Sequence, residues 1–403
     1  MARKKKQEKV EEAPSQEDRA AFMNSAFNKG KQKKLEWVLN AATGDFSRMD
    51  IGKISSGELK LDIVLGGGWE IGRTHMLVGK NQTAKSKTIA QTGSVFSWLK
   101  KPFLMIDYEG TSGKSFFELS GADLEYIDVA RPYTAEQALD LAETAILSGK
   151  YAGVAIDSIA SMSPKSEQDA SHEDAQMAAL AKLVSKFCRK VASHQNELIL
   201  TGGVPATLFL VNVPRIIMNN QWDFTMPGGE RQREEASTIV FYQRRSDIKT
   251  GSSKETEEVW GYEVQVKGIK NKCGPALKTA TLGVITDAFD GHVRSSFYHA
   301  DSIFQLAKNL NVIEQSGAWY AIPELEIKVQ GQSKINEMIM ADEAVGRYLV
   351  DKIVEAVPLP LAFDYDYVIK SQCRGGEDDA IATILGESED SKAEVSEAGE
   401  EGG

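Results

Sequence analysis

Residues 79–88 read G-K-N-Q-T-A-K-S-K-T, a phosphate-binding loop with one glycine missing. The usual spacing is Gly, four residues, Gly, Lys, Ser or Thr; Gly79, Lys85 and Ser86 are in register, and Ala84 stands at the second glycine. Free backbone N–H groups of Lys80, Asn81, Gln82, Thr83, Ala84 and Lys87 can cradle a nucleoside triphosphate at a helix N-terminus. Lys85 would then meet its β- and γ-phosphates and the Ser86 hydroxyl would take Mg2+. The flanks suit this chemistry: residues 73–78 predict a short buried strand and residues 86–99 a helix. ATP with Mg2+ is the expected ligand.

Two acidic positions could complete the chemistry. The run Y-A-G-V-A-I-D-S, 151–158, predicts a buried strand that ends in Asp157, placing a carboxylate where it can order magnesium through water. Strands also end in Asp simply to cap the next turn, and the pairing with the loop some seventy residues upstream is what favours the metal role. The run F-L-M-I-D-Y-E-G, 103–110, delivers Asp107 and Glu109 to the same sheet edge, where open α/β sheets bind ligands. Glu109 is the candidate to orient and deprotonate an attacking water; a solvated loop carboxylate is the bland alternative.

Three further segments carry charge. Residues 212–237 mix Met218, Trp222, Phe224 and Met226 with Arg215, Arg231 and Arg233 around Gly228 and Gly229. Apolar wedges between arginines suit a single nucleic-acid strand, with bases stacked and phosphates paired to guanidinium. Protein binding or packing stays open at this point, because Glu230, Glu234 and Glu235 oppose the electrostatic case. Residues 163–177 lead into a helix carrying Lys182, Lys186, Arg189 and Lys190, cations that could equally be the wet face of an amphipathic helix. Lys270 and Lys272, in K-G-I-K-N-K, alternate along a predicted strand and so point the same way.

The elements that must position these residues are legible in outline. From residue 54 to about 286, β-rich apolar runs alternate with helical stretches, the pattern of an α/β parallel sheet wrapped by helices. The clearest strands are 103–106, 154–156, 208–211, 238–242 and 263–266. Residues 300–357 predict a helix, a short strand pair and another helix, a small α+β domain. Residues 15–41 predict one or two short helices capped by Ser15.

At 403 residues, 42% hydrophobic and 26% charged, the chain fits two or three soluble domains. No run of about 18 apolar residues is present, and no apolar stretch follows the basic N-terminus, so neither a membrane span nor a secretory signal is expected. Cys188, Cys273 and Cys373 form no metal spacing, which fits a reducing cytoplasm. The net charge is −11, but residues 377–403 hold ten acidic residues and one lysine, so the body is close to neutral and can carry basic patches. That tail lacks aromatics and is expected to be disordered, either as a solubilising tail or as a mobile strip competing with DNA for basic surface.

With these residues in view, the chain resembles the RecA family of bacterial and bacteriophage recombinases over about residues 45–345. I-S-S-G-E-L-K-L-D-I-V-L-G-G-G at 54–68 with Ile71, Gly72 and Arg73 is similar to the family's lead into its phosphate loop. Residues 106–109 resemble the strand bearing the catalytic glutamate, here Glu109. Residues 156–158 and 163–165 resemble the magnesium strand and the start of the first DNA loop; Gly228, Gly229 and 231–237 resemble the end of the second. Lys270 and Lys272 are similar to the lysines that reach the ATP of the adjacent subunit, and S-G-A-W-Y at 316–320 resembles the signature of the C-terminal domain. Six such stretches in order are highly specific, and an acidic tail is also a family habit.

The resemblance implies a RecA-type doubly wound, mainly parallel ATPase core at 51–298. Around it would lie an N-terminal tail (1–14), a helical oligomerisation segment (15–50), a small C-terminal domain (299–360) and an acidic tail (361–403). It implies a DNA-dependent ATPase that forms helical filaments on single-stranded DNA and pairs it with homologous duplex, in recombination and repair. Single-strand-binding and loader proteins are further candidate partners. By position, Met177 and Arg189 fall at first-loop DNA contacts and Phe116 beside the adenine. A hexameric helicase or regulatory ATPase on the same core, and a nucleotide-gated DNA-binding module without turnover, are the competing readings.

Two positions depart from the family pattern. Ala84 would be strained if its φ is positive, at a cost of roughly 1–3 kcal/mol; binding is expected to survive with slower turnover. Val213 stands where the family has a polar side chain after the asparagine (Asn212 here) that senses the γ-phosphate. Valine can neither donate nor accept, so Asn212 or Arg215 is expected to substitute, or coupling to run across the subunit interface.

Overall fold

The computed structural model describes residue 25 and residues 52–168, 177–216, 224–250, 258–286 and 296–356. The expected N-terminal helices, Trp222 and the acidic tail lie outside them.

The described chain enters through β1 (Lys53–Ile54), helix α1 (Leu59–Leu65) and β2 (Trp69–Glu70). It then runs through β3 (Thr74–Gly79), α2 (Lys85–Trp98), β4 (Phe103–Asp107), α3 (Lys114–Glu118), β5 (Ile127–Ala130), α4 (Ala135–Ser148) and β6 (Gly153–Asp157). Next come α5 (Lys165–Gln168), α6 (Met177–Leu200) and β7 (Thr207–Asn212). A stem of β8 (Arg215–Ile216) with β9 (Phe224–Thr225) and the short helix α7 (Arg231–Glu235) lead to β10 (Thr238–Thr250), β11 (Glu258–Asn271) and β12 (Thr279–Ile285).

One eight-stranded sheet in the order β12-β11-β10-β3-β7-β6-β4-β5 organises the core. The strands from β10 to β5 are parallel, while β10, β11 and β12 form an antiparallel meander. Every residue of β3, β4, β6 and β7 is buried. Parallel strands covered by helices on both faces read as continuous apolar runs rather than alternating ones, which is why they stood out in the sequence. Because the chain leaves β3 toward β4 on one side and β10 joins β3 on the other, the strand order reverses at β3, the kind of switch point at whose C-terminal strand ends open α/β sheets bind ligands.

The helices follow ordinary rules. Thr134 caps α4 by accepting from the Gln137 N–H, and Gly149, at φ 66°, closes it in the left-handed region. On α6 the buried Val184, Phe187, Cys188 and Val191 make one apolar stripe, and Lys182, Lys186, Arg189 and Lys190 face outward. The opposite face of the sheet buries Phe96, Phe103 and Phe209, each worth about 2–3 kcal/mol in transfer terms.

A second unit follows: α8 (His299–Asn309), β13 (Glu314–Ser316), β14 (Trp319–Ile322), β15 (Ile327–Gln330), α9 (Gln332–Ala341) and α10 (Glu343–Ala356). Its sheet has three strands and two helices follow it, one strand and one helix more than the sequence pattern predicts; β15 is short and half exposed, so it gives no apolar run. It has its own core around Phe304, Ile322, Ile335 and Leu349, and it is tied back to α1: Glu58 accepts from the Ser302 hydroxyl at 2.6 Å and lies 2.8 Å from His299 Nδ1, with Leu59 in the same cluster. Burial would raise the Glu58 pKa, but His299 and Ser302 hold it below the usual value.

Candidate phosphate-binding site and adjoining loops

Strand register brings the chemistry to one edge. Gly79, the last residue of β3, lies opposite Tyr242; its neighbour Val78 lies opposite Asn212 at the end of β7; and Asp107 lies opposite Asp157. Gly79 cannot carry a side chain, because a Cβ there would sit 2.5 Å from the Tyr242 carbonyl oxygen and 2.8 Å from Thr83 Oγ1.

The loop that follows is wound tightly. Thr83 Oγ1 and Lys85 Nζ both donate to the Lys80 carbonyl, at 2.8 and 2.7 Å. Gln82 and Ala84 both occupy the left-handed region, at φ 57° and 65°. The strained case anticipated for Ala84 is therefore the observed one: it is the N-cap of α2 with no side-chain cap, and the conformation is one that glycine adopts without cost. Lys80, Asn81 and Gln82 are exposed, whereas Thr83, Ala84 and Lys85 are buried. Burial pushes the Lys85 pKa down to about 8, against the pull of Asp157 and Glu109. Burial likewise lowers Lys87 to about 8.

Two oxygens stand ready beside the loop. Asp157 is 2% exposed, and burial raises its pKa to about 6 even though it is hydrogen-bonded to Ser86 and attracted by Lys85. A hydroxyl and a carboxylate are hard oxygen donors, and a carboxylate left with this unfavourable burial suits a divalent cation held jointly with phosphate. Ser86 and Asp157 thus fit Mg2+. Glu109 is exposed, and its Oε1 accepts from Ser158 Oγ at 2.7 Å and Ser161 Oγ at 2.9 Å. Asp107, by contrast, is structural: it accepts from the backbone N–H groups of Gly110, Thr111 and Ser112 and lies 3.7 Å from Arg131 Nε, fixing the loop that carries Glu109. Phe116, half-buried on α3, packs edge-on against Phe117 at 5.4 Å.

The second loop differs from its sequence reading in one respect. Phe224 was expected to face DNA; instead it is 2% exposed, packed at a tilt against Phe241 with ring centroids 5.5 Å apart, and with the Arg233 guanidinium over its ring at 5.0 Å. Phe224 is a core residue of the stem, buried in the cluster that also holds Ile159, Val184 and Phe241. Arg231 is paired with Glu234 and Glu235 at 2.9 and 2.6 Å, and Arg233 lies 3.9 Å from Glu230. Arg215 is exposed at the stem. Gly228 and Gly229, at φ 82° and 79°, pack between the turn after β6 and the first turns of α6: a Cβ at Gly228 would meet Ile159 at 2.9 Å and Val184 at 3.2 Å, and one at Gly229 would meet Ala181 at 3.2 Å. The Met177 side chain lies outside the described residues; Arg189 is exposed about 18 Å further along α6. Lys190 pairs with Glu143 on α4 at 2.7 Å.

Lys270 and Lys272 do point the same way, although Lys272 lies just past β11. Lys270 Nζ donates to the carbonyls of Arg233 and Glu234, at 2.7 and 2.9 Å, and Lys272 Nζ to that of Glu234 at 3.3 Å. They hold the C-terminal end of α7, the favourable end of a helix dipole for cations. Burial, then the neighbouring Lys272 charge, brings the Lys270 pKa down to about 8.

Sequence reasoning passed over Ser158, Ser161 and Gln232. The serines are ordinary loop residues until the fold brings them to Glu109. Gln232 sits in a run of charges, R-Q-R-E-E, where a buried amide leaves no mark.

Residues 31–288 match the family model of the RecA N-terminal domain. Protein RecA of Rickettsia prowazekii (strain Madrid E) is 30% identical over 337 residues, 83% of this chain and 91% of that protein. Protein RecA of Desulfotalea psychrophila is 28% identical over 353 residues, 87% of this chain and 92% of that protein. Among solved structures, the crystal structure of the RadB recombinase covers 57% of this chain and 96% of its own, at 14% identity and a TM-score of 0.41. Among the described residues, no helix is long and apolar enough to cross a membrane.

Proposed function

Because this chain belongs to the RecA family of recombinases, we propose that it binds and hydrolyses ATP at the loop following β3 and uses that cycle to hold single-stranded DNA in a filament and exchange it with homologous duplex. The observation that carries this reading is the convergence of Lys85, Ser86, Asp157 and Glu109 on one sheet edge beside the loop that follows β3. A chain that had abandoned hydrolysis would have no reason to keep all four.

In this reading the loop N–H groups and Lys85 hold the β- and γ-phosphates, and Lys85 must release the Lys80 carbonyl to do so. Ser86 and Asp157 would hold Mg2+, which supplies charge neutralisation at the phosphates. Glu109, steadied by Ser158 and Ser161, orients a water in line with the γ-phosphorus. As the water oxygen forms its bond to phosphorus, the bond from phosphorus to the β–γ bridging oxygen breaks and the water proton passes to the Glu109 carboxylate. Lys270 and Lys272 are proposed to reach a neighbouring subunit's nucleotide once they leave the end of α7. Arg215, Arg231, Arg233, Gly228 and Gly229 would border the DNA path, with Arg189 and Met177 on the first loop's side and Phe116 near the adenine.

ATP turnover with and without single-stranded DNA, alongside electron micrographs of the same samples, tests this. Helical filaments with stimulated hydrolysis support it; closed rings favour a hexameric ATPase, and filaments without turnover a passive DNA-binding module.

A further inference from the structure

Val213 leaves this chain without a polar side chain at the position following Asn212, yet β7 still ends in a polar network. Asn212 and Gln232 are both fully buried. Asn212 Nδ2 donates to the Pro227 carbonyl at 3.0 Å and to Gln232 Oε1 at 2.9 Å, and its Oδ1 accepts from the Val213 N–H at 2.8 Å. Gln232 Nε2 donates to Pro227 O at 2.6 Å and Gly229 O at 2.9 Å. Every polar atom of the two side chains is therefore engaged, and three of the bonds end on the Pro227 and Gly229 carbonyls, in the turn that follows β9.

That turn has contacts on three sides. Asn212 lies opposite Val78, one residue before the phosphate loop. Gly228 packs against Ile159, two residues beyond Asp157, and against Val184 of α6; Gly229 packs against Ala181. A shift at the end of β7 or β6 cannot be absorbed by loose side chains here, because a buried amide that loses its partners is left unsatisfied. Arg215, by contrast, is exposed on the stem.

We propose that Gln232 is the positioning residue that couples the phosphate loop to the second-loop stem: it clamps Pro227 and Gly229 to Asn212, so that nucleotide at residues 79–86 sets the stem's geometry for single-stranded DNA. The inference rests on the ATP-dependent DNA binding proposed above. It takes over the coupling that Val213 cannot perform.

The test uses the full chain and a fluorescent oligothymidine. Its dissociation constant is measured without nucleotide and with a non-hydrolysable ATP analogue, together with the dissociation constant of the analogue itself. Gln232→Met keeps the side-chain volume and removes all three hydrogen bonds; Gln232→Glu keeps the acceptor for Asn212 and removes both donors. The expected result is that the analogue tightens wild-type DNA binding by about tenfold or more and either variant's by less than about twofold, with analogue affinity preserved. A folded Gln232→Met that keeps the wild-type ratio overturns the inference. So does loss of analogue and DNA binding together, or a chain that folds with neither substitution, since both describe a purely structural residue. If only Gln232→Glu folds, its ratio decides. A wild type whose DNA affinity ignores the analogue fails the recombinase reading itself, before any variant is compared.

Discussion

Lys85 Nζ donates to the carbonyl oxygen of Lys80 at 2.7 Å, so the phosphate-loop lysine is tethered across its own loop. The ammonium is buried and carries a depressed pKa. Anionic phosphate oxygens offer it a better partner than a neutral carbonyl, because they add the attraction of opposite charges to the hydrogen bond. Lys85→Ala should therefore weaken ATP binding and lower hydrolysis by about a hundredfold or more, read by nucleotide titration and phosphate release. Thermal stability should fall only modestly, since the tether it removes is a single hydrogen bond from a charged donor, worth about 1.5–3 kcal/mol and offset by the cost of burying that charge.

Ala84 is the opposite case, a residue whose backbone is held where its side chain is unwelcome, at φ 65°. Ala84→Gly relieves a left-handed alanine, about 1–2 kcal/mol, and returns about 0.5–1 kcal/mol of that as chain entropy. The expected outcome is a melting temperature unchanged or raised by about 2–4 °C, together with faster hydrolysis as the backbone N–H groups approach the phosphates more freely. A variant with unchanged ATP affinity and unchanged rate would show that the methyl is irrelevant to the cycle.

His75 sets a pH dependence. It is fully buried on β3 between Trp69 and Phe209, its Nε2 is 2.8 Å from the Glu70 carbonyl, and burial lowers its pKa to about 4. The unfolded chain protonates this histidine near pH 6.5 while the folded chain resists until about 4. Stability from this residue is thus fully present above pH 6.5 and is lost as pH falls toward 4. Asp62, raised to about 7 by burial, works in the opposite direction over much of the same range, so the whole-protein profile understates either group. The difference in melting temperature between wild type and His75→Phe isolates it, and should move in favour of the variant as pH falls from 6.5 to 4.5.

Most of the sheet was legible because its strands are buried on both faces and read as unbroken apolar runs, as in F-L-M-I-D and G-V-A-I-D. The phosphate loop was legible from Gly79, Lys85 and Ser86 despite Ala84, since spacing survives a single substitution. Phe224 was misread because an aromatic among arginines looks the same whether it faces DNA or, as here, lies under Arg233 against Phe241. β15 escaped notice because alternate residues meet solvent. Gln232 was illegible because its partners are two backbone carbonyls, at Pro227 and Gly229, and one amide twenty residues upstream, Asn212, which no local side-chain pattern reports.

Lys270 holds two carbonyls at the end of α7 within its own chain. Lys270→Ala should leave ATP affinity and DNA-independent hydrolysis near the wild-type level while reducing DNA-stimulated hydrolysis by about tenfold or more, because only the assembled form would use the lysine on a neighbour's phosphates. Equal loss in both assays would place it in its own chain's site instead.

Arg215 provides a contrast with Gln232. An exposed arginine at the stem that meets DNA phosphate should, on Arg215→Ala, weaken single-strand binding with and without nucleotide alike and reduce the slope of log affinity against log salt by about 0.7. A nucleotide-independent affinity in this variant would instead make Arg215 the relay.

The most direct measurement is phosphate release from ATP by the wild-type chain and by Glu109→Gln, each with and without single-stranded DNA. Glu109 is held by Ser158 and Ser161 at the edge of the phosphate site, so wild-type release should be stimulated by DNA, and the variant should lose about a hundredfold or more of that rate while binding ATP as tightly. A wild-type rate that DNA does not raise, or one that Glu109→Gln leaves intact, would contradict the assignment of this edge as the engine of a DNA-dependent ATPase.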